Sequence, residues 1–207
     1  MATINNTSQF SKSETSSSFE VPLIQATDES LIGYARKVFD YEKEEVIIEP
    51  WPLKGWRKLV PGTGVEGGIA EDLFEFERNG EFFCATNHAV NRSYITAQFD
   101  FGSQPGLFVR EANYHPDGGQ VFFSNKGEPF IALLALPTDD VKPEHFKAFY
   151  CDGTFGIQLL PNVWHQPIFP INLPATFKNK QGKVHACVAV DFVNEFAVWL
   201  KIPYPVK

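Results

Sequence analysis

Asn113-Tyr114-His115-Pro116-Asp117-Gly118-Gly119-Gln120-Val121-Phe122-Phe123 decides how this chain folds. Two strand-forming runs flank a Pro-Asp-Gly-Gly centre, the composition of a tight turn between two strands. Side chains alternate along a strand with period two, which puts Asn113 and His115 on one face. Glu111 lies two residues further back on that face. Gln120 opens the next strand beside the turn, so polar side chains converge at one end of a β-structure.

The same grammar extends outward. Short β-like runs recur at Leu73–Glu77, Glu81–Thr86, Tyr94–Phe99, Gly106–Asn113, Gln120–Phe123, Phe130–Ala135, Lys147–Tyr150, Phe155–Leu159, Val184–Phe192 and Ala197–Leu200. Turn signals such as Arg78-Asn79-Gly80, Asn125-Lys126-Gly127 and Asp152-Gly153 separate them. Many short strands with such turns predict an all-β sandwich or closed barrel. Gly and Pro between residues 49 and 68 break any long helix there. One short amphipathic helix is expected from Asp28, on the spacing of Leu31, Tyr34, Ala35 and Val38. Residues 1–19, rich in Ser, Thr and Asn, read as a disordered tail, leaving residues 20–207 as one domain. Lys178-Asn179-Lys180-Gln181-Gly182-Lys183 reads as a solvated hairpin tip.

Twenty Phe and four Trp against one Met point to a core of aromatic rings on strands. A net charge of −7, with no clustered Lys or Arg, speaks against a nucleic-acid partner. No apolar stretch is long enough for a membrane span, and the N-terminus has no apolar signal core. Cys84, Cys151 and Cys187 are far apart and form no CxxC pair, so they are expected as buried, reduced thiols in a cytoplasmic protein.

A second polar cluster stands at Pro161-Asn162-Val163-Trp164-His165-Gln166-Pro167. A histidine entering an apolar strand is costly to bury without a partner. Joined to the first cluster, it completes a pattern. The spacing His115-x4-Gln120-x6-Gly127 resembles the first motif of the cupins, and His165 stands about where they supply a last histidine. Pro161 and His165 are one residue closer than that pattern expects. The resemblance implies a cupin-like jelly-roll β-barrel holding a divalent metal on His115, Gln120 and His165.

Residues 107–170 resemble the ureidoglycolate lyase family more closely. The matching words are Tyr114-His115-Pro116, Gly119-Gln120-Val121-Phe122, Lys126-Gly127-Glu128-Pro129-Phe130, Lys142-Pro143, Lys147-Ala148-Phe149 and Asn162-Val163-Trp164-His165-Gln166-Pro167. The resemblance implies a homodimeric enzyme of purine breakdown that splits ureidoglycolate into glyoxylate and urea, helped by a divalent metal such as nickel. Two departures stand out: Asn113 replaces a family Glu, and Asp191-Phe192 replaces an Asp-Arg pair.

That chemistry needs a base on the hydroxyl, an acid for the leaving urea nitrogen and a partner for the carboxylate. His115 and His165 are candidate bases, since imidazole titrates near neutrality. A metal on His115, Gln120 and His165 would instead polarise the hydroxyl, and these N/O donors suit Ni, Mn, Zn or Fe. Arg92 and Lys126 are candidates for the carboxylate, with Asn113, Glu111 and Trp164 as further substrate contacts. His88 reads as a loop residue, and His145 and His185 as structural or exposed ones. Two other functions fit the same residues: a metal-dependent isomerase, decarboxylase or oxygenase, and a barrel that binds a small acid or sugar without catalysis.

Overall fold

A computed structural model describes residues 11–13, 16–48, 59–60, 68–116, 118–138, 140–183 and 187–205. Its strands begin with β1 (Ser17–Glu20), β2 (Leu23–Gln25), β3 (Ala35–Val38), β4 (Leu59–Val60), β5 (Ile69–Asn79), β6 (Phe82–Asn87), β7 (Arg92–Asp100), β8 (Gly106–Val109) and β9 (Glu111–Tyr114). They continue with β10 (Gln120–Phe123), β11 (Phe130–Ala135), β12 (Lys147–Cys151), β13 (Gly156–Leu159), β14 (Trp164–His165), β15 (Phe169–Pro170), β16 (Ala175–Gly182), β17 (Cys187–Asp191) and β18 (Val198–Pro203). The one α-helix among the described residues is α1 (Phe192–Phe196). No helix there is long and apolar enough to cross a membrane.

The fold is all-β and cupin-like, built as two sheets. The larger runs β1-β18-β8-β7-β6-β5-β16-β10-β13-β3, and the smaller runs β2-β12-β11-β14-β9-β17-β4 with β15 against β11. Rings from facing strands join them. Phe83 of β6 meets Phe169 of β15 edge-on at 5.3 Å, and Phe130 of β11 meets Phe177 of β16 at 5.4 Å. Such edge-to-face pairs add about 0.5–1.5 kcal/mol beyond the area they bury. The phenylalanine excess therefore serves the inter-sheet core, where Phe74, Phe76, Phe83, Phe130, Phe169 and Phe177 are almost fully buried.

Four expectations are corrected. The helix expected from Asp28 is a pair of isolated turns followed by β3. Leu31 N donates to Thr27 O and Ala35 N to Leu31 O, and Gly33 between them has φ +82°, which a right-handed helix cannot contain. Residues 17–19 do not belong to the expected tail, because Ser17–Glu20 pair in parallel with Val198–Lys201 and Phe19 packs against the core. The run Gly106–Asn113 is two strands in different sheets, parted at Arg110, whose Nε and Nη2 donate to Asp191 Oδ2 at 3.0 and 2.9 Å.

The fourth concerns the supposed hairpin tip, of which residues 178–182 form the end of β16, held between β5 and β10. Lys180 is buried on the outer face: Nζ donates to Tyr41 O at 2.9 Å and Glu44 O at 3.2 Å, and stands 4.3 Å over the Tyr41 ring. Asn179 and Gln181 point the other way and are also buried. Asp117, and Val184 with His185, lie outside the described residues.

Candidate active site

A cavity of about 190 Å³ opens between the sheets. The larger sheet supplies Asn87, Arg92, Tyr94 and Gln120; the smaller supplies Glu111, Asn113, His165 and Cys187, with His115 just beyond β9. Local geometry explains the convergence. A Cβ on Gly119 would lie 2.3 Å from Leu159 O, so only glycine allows the turn to press against β13. Gln120 then enters the ladder between Leu159 and Gln181. Across the cavity His165 pairs directly with Asn113, and Ala189 pairs with Asn113 from the other side. Strand alternation turns Trp164 and Tyr114 to the opposite face, where their rings meet edge-on at 4.8 Å.

His165 is 4% exposed and its ring centroid stands 5.1 Å from that of His115. Its Nδ1 lies 2.8 Å from Val163 O, and its Nε2 lies 3.2 Å from Gln120 Oε1. A carbonyl oxygen only accepts, so Nδ1 carries the proton. Burial, reinforced by the His115 ring, pushes the His165 pKa down to about 3 and keeps the imidazole neutral. Glu111 shifts the other way: burial first, then Asp191, raise its carboxyl above the usual range, with Arg110 partly opposing. It is the one carboxyl lining the cavity among the described residues. Asn113 Oδ1 is buried with no hydrogen-bond partner.

Behind Gln120 lies a cluster of buried amides. Its Nε2 donates to Asn179 Oδ1 at 2.8 Å and to Gln181 Oε1 at 3.1 Å. Asn179 Nδ2 and Asn87 Nδ2 donate to that same Gln181 oxygen at 3.0 and 2.9 Å.

Two sequence candidates stand elsewhere. Lys126 sits in the exposed turn after β10, and Trp164 is fully buried with Nε1 donating to Thr138 O at 2.7 Å. Both side chains answer to local structure, a solvated turn and a core ring, and neither lines the cavity. His88 pairs with Glu75 at 2.9 Å, and His145 Nδ1 accepts from Lys142 N in an exposed turn. Asn87, Tyr94, Asn179, Gln181 and Cys187 join the site without having been singled out. The alternation Phe177-x-Asn179-x-Gln181 was the available signal for two of them. Cys84 and Cys151 are buried free thiols, whereas Cys187 is half-buried at the cavity wall, its thiol pushed up by burial and by Glu111.

Residues 77–198, which include every residue of this wall except Phe74, match the family model described as Ureidoglycolate lyase. The chain belongs to the ureidoglycolate lyase family. It is 38% identical over 112 residues to the ureidoglycolate lyase of Escherichia coli O1:K1 / APEC, covering 47% of this chain and 69% of that protein. The ureidoglycolate lyases of Escherichia coli O45:K1 (strain S88 / ExPEC) and O127:H6 (strain E2348/69 / EPEC) match to the same extent. Its function is accordingly that of a ureidoglycolate lyase-like enzyme.

Proposed function

We propose that this cavity splits ureidoglycolate into glyoxylate and urea, with Arg92, His115 and Glu111 dividing the work. The observation that carries the proposal is the meeting of Arg92, Glu111, Asn113, His115, Gln120 and His165 around one cavity. Arg92 is the cation on the wall and takes the substrate carboxylate. His115 accepts the hydroxyl proton; His165, with its pKa near 3, is too weak a base for work at neutral pH. As the C–O bond gains double-bond character, the C–N bond breaks and its electron pair leaves with the urea nitrogen. Glu111, whose burial favours the protonated form, hands that nitrogen a proton. The proton on His115 then returns to Glu111 through solvent, which closes the cycle.

Among the described residues no three His, Cys, Asp or Glu side chains are grouped to hold a metal ion. The donors that do converge are His165 Nε2 and Gln120 Oε1, two lone pairs 3.2 Å apart with the His115 ring beside them. This neutral N/O set fits a divalent cation such as Ni, Mn, Zn or Fe, bound modestly because a Gln oxygen is a weaker ligand than a carboxylate. When bound, such a cation lowers the pKa of the substrate hydroxyl.

The test is to supply ureidoglycolate, with and without Ni(II) or Mn(II), and follow glyoxylate. Turnover by the unaltered protein and background rates in His115→Ala are expected. Background rates in the unaltered protein, or full activity in His115→Ala, overturn the proposal.

A further inference from the structure

We propose that Gln181 is a positioning residue that holds the Gln120 amide with its carbonyl oxygen turned toward His165; the catalytic consequence, though not the orientation itself, rests on the lyase reading above. The orientation follows from a backbone donor at the other end of the cluster. Ala89 N–H donates to Asn87 Oδ1 at 3.1 Å, so the Asn87 amide must present its NH2 to whatever lies beyond. What lies beyond, at 2.9 Å, is Gln181 Oε1. An oxygen receiving that N–H can only accept, so Asn179 and Gln120 must also turn their NH2 groups toward it, at 3.0 and 3.1 Å. Gln120 is then left with its carbonyl oxygen facing the cavity, 3.2 Å from His165 Nε2.

From the opposite side Val163 O claims the only proton of neutral His165 through Nδ1, at 2.8 Å. One backbone donor and one backbone acceptor thus dictate that two lone pairs meet in the cavity with no proton between them. In the absence of Gln181, Asn179 is released as well, and the cheaper arrangement is the reverse: both amides turn over, Asn179 Nδ2 donates to Gln120 Oε1, and the Gln120 NH2 donates to His165 Nε2. That would close the pair to any electropositive ligand. Gln181 is about 1% exposed and does not line the cavity, so it acts through Gln120, directly and by way of Asn179, whose Oδ1 accepts from Gln120 Nε2 at 2.8 Å.

Two substitutions separate this role from mere packing. Gln181→Met keeps the volume and removes the acceptor that orients both Asn179 and Gln120, which frees the two amides to turn over together. Gln181→Glu keeps an acceptor-only group in place and preserves the orientation. The decisive readout is the 15N resonance of His165 Nε2 in metal-free protein, which moves upfield when the nitrogen accepts a hydrogen bond. An upfield shift in Gln181→Met and none in Gln181→Glu is expected. Nickel affinity should fall at least about tenfold in the Met variant, the usual cost of losing a partner that orients a ligand, and should hold in the Glu variant. An unmoved resonance in Gln181→Met, or an upfield resonance in Gln181→Glu, overturns the proposal. Should Gln181→Met fail to fold, the Glu variant decides alone. Neither readout depends on turnover, so an unaltered protein that leaves ureidoglycolate intact refutes the lyase site while the resonance still judges Gln181.

Discussion

Acid should destabilise this protein more than it destabilises a His165→Gln variant, and the difference can be worked out from one side chain. In the fold His165 stays neutral down to a pKa of about 3. In the unfolded chain it takes a proton below about 6.5. Between those values the unfolded state binds more protons, so the stability present above the upper value is lost as pH falls. At about pH 5 the gap amounts to one and a half pH units, or about 2 kcal/mol. Glutamine fills much of the same space and does not titrate. Guanidinium unfolding at about pH 8 and about pH 5 gives a stability loss for each protein, and the unaltered protein should lose about 2 kcal/mol more. Glu111 works with the opposite sign: its raised pKa costs stability as pH rises through the ordinary carboxyl value. It is present in both proteins and cancels in the difference. Equal losses would show that His165 is not held neutral by burial, and the assignment of His115 as base would fall with it.

If Glu111 is the acid for the leaving nitrogen, kcat declines as pH rises through its raised pKa, and Glu111→Gln should cost about 10²–10⁴ in kcat while abolishing that decline. A variant with an unchanged pH profile speaks against the role. Arg92→Gln should raise KM for ureidoglycolate about 10- to 100-fold with little change in kcat, the signature of binding shared by ground and transition states. A kcat effect alone would move Arg92 from binding to chemistry. Trp164→Phe removes the donor that Thr138 O accepts and should lower stability by about 1–3 kcal/mol, with KM and kcat near those of the unaltered protein. A large KM change would return Trp164 to the substrate contacts.

The strands flanking the His-Pro turn were legible because their signals are local: period-two alternation and turn residues at fixed offsets. The parity of Glu111, Asn113 and His115 follows from those rules alone. What escaped depends on partners far along the chain. Lys180 looks like a surface lysine until Tyr41 and Glu44 supply carbonyls to its ammonium, and Asn179 and Gln181 look like turn residues until Asn87 and Gln120 complete their hydrogen bonds. Leu31, Tyr34, Ala35 and Val38 are all buried as their spacing suggested, yet half sit in turns and half in β3, because Gly33 and pairing with β13 outweigh helical periodicity. Arg110 marks a strand break that no Gly or Pro announces; there its side chain is held by an ion pair to Asp191, the last residue of β17.

If the cavity around His115 and His165 breaks the C–N bond of ureidoglycolate, urea is released intact. Incubating the purified protein with ureidoglycolate and quantifying glyoxylate, urea and ammonia tests it most directly. Equimolar glyoxylate and urea, without ammonia and lost in His115→Ala, is the predicted result. Ammonia in place of urea, or no product from the unaltered protein, would contradict it.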